Sequence, residues 1–234
     1  MPGYQKHMQD YYYSPSPYLI SPNIESIHLE KTVKLGVMAS GNGSNFEAIA
    51  RAIAEGKLNA RIELLIYNNP GAKVKERADK YGVESLLLNH REFPSREALD
   101  EAIVASFKNK GVELVVMAGW MRIVTRVLLE AFPEKVINIH PSLLPSFRGV
   151  NAVKQALEAG VKITGCTVHI ATLEVDNGPI LVQAAVPILP DDTPETLHKR
   201  IQTQEHRIII QGIALAVLRG REKDATNPVK PISH

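Results

Sequence analysis

The chain has 234 residues, 44% hydrophobic and 22% charged, with a formal net charge of +2. This is a globular composition, and its charge is too mild to argue for a nucleic-acid polymer. One cysteine, Cys166, excludes an internal disulfide or a cysteine-built zinc centre, and no apolar run reaches the ~18 residues of a membrane span.

Residues 1–31 differ in character from the rest of the chain. "MQDYYYSPSPYLISPN" is rich in Tyr, Ser and Pro and has no helix or strand period. It lacks the basic start and apolar centre of a secretory signal. The expectation is a flexible extension, with Tyr11 to Tyr13 available to dock on a partner surface. The domain is expected over 32–220, and the polar residues 221–234 are expected to form a tail.

From Val33 onward strands and helices alternate. "KLGVMAS" reads as a strand that ends in the glycine-rich turn "GNGSN". "FEAIARAIAEG" aligns Phe46, Ile49, Ala52 and Ile53 on one helical face and stops at Gly56. "RIELLIYNN" is a strand, "KVKERADKYG" a helix closed by Gly82, and "VESLLLN" a third strand. "SREALDEAIVASFKNKG" opens at the N-cap candidate Ser95 and stops at Gly111. "VELVVMAG" is almost wholly apolar, as a strand covered on both faces should be. "RVLLEAF" is a short helix before the strand "VINIH". "NAVKQALEAG" is a helix, and "ITGCTVHIA" and "PILVQAAVPI" form a hairpin-like pair joined by "TLEVDNG". The last helix opens with Thr193 as N-cap and Pro194 at its first position. The predicted fold class is therefore α/β: Rossmann-like, doubly wound and mostly parallel, with a C-terminal strand pair and a long C-terminal helix.

Four places carry candidate chemistry. "SGNGSNFEAI" is a strand–turn–helix junction whose unpaired helix amides suit a single phosphate. Phe46 occupies the position where a dinucleotide fingerprint needs its third glycine, and the Lys-Ser/Thr of a P-loop is absent. A tight turn with glycines for backbone reasons alone also explains it. Asn138 and His140 are two apart on a strand and so share a face, at an end where ligands bind in parallel sheets. They suit an amide donor and a general acid or base, or a structural strand end. Pro141 and Pro145 restrict the chain behind them. Asp176 precedes Asn177, Gly178 and Pro179, and either makes the turn or faces His140 and favours its charged form. Gln202 and Glu205 share a helix face that is either solvated or turned to sugar hydroxyls.

In this order and approximate spacing, "SGNGSNFEAI", "GWMRIV", "NIHPSLLPSF", "DNGPI" and "RIQTQEH" resemble the phosphoribosylglycinamide formyltransferases, over about Lys34 to Leu218. The resemblance implies transfer of the formyl group of 10-formyltetrahydrofolate to the amine of glycinamide ribonucleotide, in purine biosynthesis, with no metal. It implies that Gly43, Ser44 and Asn45 hold the phosphate and that Gln202 and Glu205 contact the same ribonucleotide. Met121, Arg122, Ile123, Val124 and the loop Thr172, Leu173, Glu174, Val175 and Asp176 would line the folate pocket, with Arg96 near its acidic tail and Asn138 also in contact. Asn138, His140 and Asp176 would form the catalytic set. Asn138 and a charged His140 would donate to the formyl oxygen as negative charge develops there.

One departure is visible: after "SFRG" the chain reads "VNAVKQAL", where several relatives carry histidines. The expected partners are these two small molecules, with neither nucleic acid nor membrane, and a homodimer as the assembly considered. The expected compartment is the cytoplasm. The rivals are a formyltetrahydrofolate hydrolase, whose kind carries a further domain ahead of the core, and a non-catalytic nucleotide-binding module.

Overall fold

The computed structural model describes residues 19–22 and 29–226. Eight strands form one sheet: β1 (Ile20–Ser21), β2 (Val33–Ala39), β3 (Ala60–Tyr67), β4 (Ser85–Leu87), β5 (Leu114–Met117), β6 (Val136–His140), β7 (Ile163–Ile170) and β8 (Ile180–Pro187). Among the described residues six helices accompany them: α1 (Ser44–Ala54), α2 (Val74–Lys80), α3 (Arg96–Asn109), α4 (Arg126–Ala131), α5 (Ala152–Glu158) and α6 (Pro194–Thr226).

The sheet order is β1-β8-β7-β6-β5-β2-β3-β4. Strands β6, β5, β2, β3 and β4 run parallel, and β7, β8 and β1 add to β6 in antiparallel fashion. Strand order reverses between β2 and β5. At such a switch point the two following loops separate and leave a crevice beyond the strand ends.

Period-two alternation sends the strand side chains into two cores. Leu35, Val37, Val116, Ile137 and Val168 meet α1, α2 and α6 on one face. Met38, Leu64, Ile66 and Val115 meet α3 and α4 on the other. Phe107 of α3 lies directly over Gly36, where an added Cβ would sit 2.6 Å from the ring. Trimming the fully buried Ile103 or Phe107 to alanine would cost about 2–5 kcal/mol.

The caps behave as the residue types dictate. Ser95 Oγ accepts from Ala98 N at 3.1 Å. Thr193 and Thr196 cap α6 reciprocally: Thr196 N donates to Thr193 Oγ1, and Thr193 N to Thr196 Oγ1. Arg200 braces this end by bonding Asp192 and the Pro187 carbonyl. The guanidinium holds the Asp192 carboxyl down at about 2.

Parts of both termini are among the described residues. Within 1–31, three of them, residues 20, 21 and 29, are tied to the domain. Ile20 and Ser21 pair with Ala184 and Gln183 of β8, Leu29 is buried in the core, and Asn59 Nδ2 donates to the Leu29 carbonyl at 2.8 Å. Two paired residues are too few to show a strand period. The trio Tyr11 to Tyr13 lies outside the described residues. At the other end, α6 continues past Gly220 to Thr226. Glu222, Lys223 and Ala225 are strong helix formers and carry the helix over a glycine that costs only about 1 kcal/mol. Among the described residues, no helix is long and apolar enough to cross a membrane.

Candidate active site

Beyond the carboxyl ends of β2, β5 and β6 lies a cavity of about 820 Å³. It is bordered by the loops after β2 and β5, the end of β6, the loop before α5, the turn between β7 and β8, and the first turns of α6. The switch-point loops are cross-tied: Ser40 N donates to the Gly119 carbonyl at 3.0 Å, and Met121 N to Ser40 Oγ at 2.8 Å.

The "GNGSN" loop brings Gly43, Ser44 and Asn45 to one part of the cavity wall. Gly43 has φ 72, and a Cβ there would run into the side chain of Val74. Both facts require glycine. Ser44 opens α1, and Gln202 Nε2 of α6 donates to its Oγ at 2.8 Å. Asn45 Nδ2 donates to Glu205 Oε2 at 3.1 Å. The two residue groups are therefore assembled as one unit, 158 and 160 positions apart in the chain. Burial pushes the Glu205 carboxyl above its ordinary range, against the pull of the Asn45 hydrogen bond and the nearby His198.

At the end of β6, Asn138 and His140 share a face of the strand and both border the cavity. Asp176 reaches them from the turn after β7. Its Oδ2 lies 3.2 Å from His140 Nδ1, and its Oδ1 accepts from Asn138 Nδ2 at 3.3 Å. Asp176 has φ 52, a left-handed conformation that Asp tolerates better than most residues. Gly149 N donates to Oδ2 at 2.9 Å. Burial raises the Asp176 carboxyl, but the hydrogen bonds from His169 and Gly149 and the neighbouring His140 outweigh it and leave it below the ordinary value.

His140 Nε2 meets the Phe147 carbonyl at 2.8 Å. Both neighbours of the ring are acceptors, so His140 satisfies both only by donating from both nitrogens. This differs from a simple picture of two donors aimed into the cavity. The Asn138 amide is engaged by Asp176 and by His169 Nε2 at 3.3 Å, and His140 is engaged by a backbone carbonyl.

His169 belongs to the same cluster and was not singled out from the sequence. It is the register partner of Asn138 across β6 and β7, it is buried, and its Nε2 lies 3.5 Å from Asp176 Oδ1. The available signal was a histidine inside a strand with no other ionisable residue besides Cys166, since buried polar groups need partners. Phe147 and Gly149 act through backbone atoms and left no signal in residue type.

Another part of the cavity wall is formed by Met121, Arg122, Ile123 and Val124 and by Thr172 and Val175. Leu173 and Glu174, expected beside them, are exposed and do not border it; Glu174 instead pairs with Arg148 at 3.2 Å. A turn that delivers Asp176 inward must put its apex outward. Arg96 is exposed at the start of α3 and is also absent from the cavity wall. Among the described residues, no group of three or more His, Cys, Asp or Glu is arranged to hold a metal ion.

The chain is similar to proteins of one known family. Residues 33–213 match the model of the formyl transferase family. A phosphoribosylglycinamide formyltransferase of Bacillus subtilis (strain 168) is 44% identical over 174 residues, covering 74% of this chain and 89% of its own length. The human trifunctional purine biosynthetic protein adenosine-3 is 38% identical over 186 residues, and the match spans 18% of that longer protein. A crystal structure of glycinamide ribonucleotide transformylase 1 from Symbiobacterium toebii superposes with a TM-score of 0.79 at 44% identity, covering 84% of this chain and 94% of that one.

Proposed function

The chain belongs to the formyl transferase family, and from that premise we propose that it transfers a formyl group to the amine of glycinamide ribonucleotide in purine biosynthesis. One observation carries the proposal. The His140–Asp176 pair, at 3.2 Å, shares a single cavity with the Gly43–Asn45 loop braced by Gln202 and Glu205.

In this reading the Gly43, Ser44 and Asn45 end takes the phosphate. Glu205, acceptor-only when ionised, takes ribose hydroxyls. The opposite end suits a flat heteroaromatic ring, because Met121, Ile123 and Val175 are 78%, 51% and 43% exposed there. 10-Formyltetrahydrofolate, bound at that end, would supply the formyl group. Asn138 and His140 stand between the two ends. His140 releases its Nε2 donor from the Phe147 carbonyl and offers it to the cavity, and Asn138 turns an amide hydrogen the same way. Preorganised donors of this kind stabilise negative charge developing on an acyl oxygen. Asp176 keeps the imidazole oriented, and its lowered carboxyl pKa keeps it an acceptor at neutral pH. Every residue named comes from one chain, and no step calls on a metal. The buried, lone Cys166 suits a reducing setting such as the cytoplasm.

The test is to incubate the protein with 10-formyltetrahydrofolate, with and without glycinamide ribonucleotide. Loss of the formyl donor should require the acceptor. Formate release independent of the acceptor would instead identify a hydrolase.

A further inference from the structure

Helix α2 lies outside the cavity wall, yet three contacts tie it to the proposed phosphate loop. Val74 N donates to the Gly41 carbonyl at 3.1 Å. The Val74 side chain fills the space where Gly43 would carry a Cβ. Arg77 then grips Asn42 with two parallel bonds: Nε to the backbone carbonyl at 2.7 Å, and Nη2 to the side-chain Oδ1 at 3.1 Å. Arg77 is itself held by an ion pair to Glu47 of α1, which also accepts from Lys80 at 2.8 Å. Its side chain is 27% exposed, so Arg77 is held against α1 and the loop, not extended into solvent.

A trans peptide points its C=O and N–H in opposite directions. The carbonyls of Gly41 and Asn42 are both drawn toward α2. The amide hydrogens of Asn42 and Gly43, one residue on in each case, therefore face away from α2, and all of these loop residues border the cavity. Successive backbone N–H groups turned to one side form an anion-binding concavity. An Arg fork fixes Asn42 better than a Lys point charge, because one bond holds its carbonyl while the second holds its side chain.

We propose that Arg77 is a positioning residue for the acceptor's phosphate, acting through Asn42 to aim the loop amides at the anion without touching it. This rests on the phosphate reading of the Gly43–Asn45 loop, and it adds a residue that neither the cavity wall nor the sequence pattern singles out.

The test compares two acceptors, glycinamide ribonucleotide and the same molecule without its phosphate, in wild type, Arg77→Ala and Arg77→Lys. In Arg77→Ala the KM for the phosphorylated acceptor should rise about tenfold or more, the typical weight of a hydrogen bond to a charged group. The values of kcat and of the KM for the formyl donor should stay within about twofold, and kcat/KM for the phosphate-free acceptor should be unchanged. Arg77→Lys should fall between, and it carries the same signature should the alanine variant not fold. Equal losses on both acceptors, or an unchanged KM for the phosphorylated one, would overturn the proposal. Failure of wild type to formylate either acceptor would instead overturn the functional reading beneath it.

Discussion

At one end of the cavity, the Gly41–Asn45 loop is held by Val74, Arg77, Gln202 and Glu205 through bonds that leave little room to adjust. At the other end, Met121, Ile123 and Val175 stand in solvent with apolar surface uncovered. The first end is built before any ligand arrives. It suits an anion, since fixed dipoles act on charge without reorganising. The second end is completed only when apolar surface is covered, which suits a large flat ring and draws on the hydrophobic effect. Polar and apolar halves of one site thus differ in when their order is established. Asn138, His140 and Asp176 border the same cavity as both.

That comparison can be broken most sharply at its midpoint. His140→Ala should lower kcat by about 10²–10³-fold, the usual weight of a removed oxyanion donor. Both KM values should change by less than about threefold, since neither end loses a contact. A large rise in either KM, measured by steady-state titration of each substrate, would show that His140 belongs to one of the ends.

The next effect falls on the polar end. Glu205→Gln keeps an acceptor for Asn45 Nδ2 and brings a donor toward Asn45 Oδ1, a buried atom without a partner. The fold should therefore survive, while the KM for the ribonucleotide rises about tenfold. Stability should move the other way. Burial raises the Glu205 carboxyl in the folded state, so on raising the pH the unfolded chain releases this proton first. Its contribution to stability then falls from about pH 4.3 upward and levels off above the raised folded value. Thermal melts of wild type and Glu205→Gln should diverge across that interval, with the variant the more stable at pH 8. A variant less stable than wild type at pH 8 would mean that the ionised carboxylate supports the fold.

Local patterning carried most of the architecture into the sequence. The alternation from Val33 to His140 contains the doubly wound order, and Ser95 and Thr193 cap the helices that their positions announce. The pairing of Asn138 with His140 was visible because residues two apart on a strand share a face. What stayed hidden is non-local or carried by backbone. The reach of Asp176 to His140 depends on how the β7–β8 pair folds back along β6. The Phe147 carbonyl and the Gly149 amide are backbone groups, which nearly every residue type carries. Ile20 and Ser21 pair over too short a length to leave a period, and Gly220 reads as a stop only when neighbouring propensity is ignored. The outward apex at Leu173 and Glu174 marks the limit of carrying a motif over as a continuous run: adjacent residues in a turn face different directions.

The smallest effect tests the apolar end. Met121 is 78% exposed, so its side chain contributes almost nothing to the folded state. Met121→Ala should leave Tm unchanged, within the ±0.5 kcal/mol or so typical of surface substitutions. If the side chain is covered only by the formyl donor, the KM for that donor should still rise by about fivefold, the equivalent of roughly one buried methylene. The KM for the ribonucleotide should not move. A variant with unchanged donor KM would show that Met121 stays in water throughout the cycle. A variant with lowered Tm would show that this end is already packed without ligand, and the contrast between a prebuilt polar end and a ligand-completed apolar end would then fail.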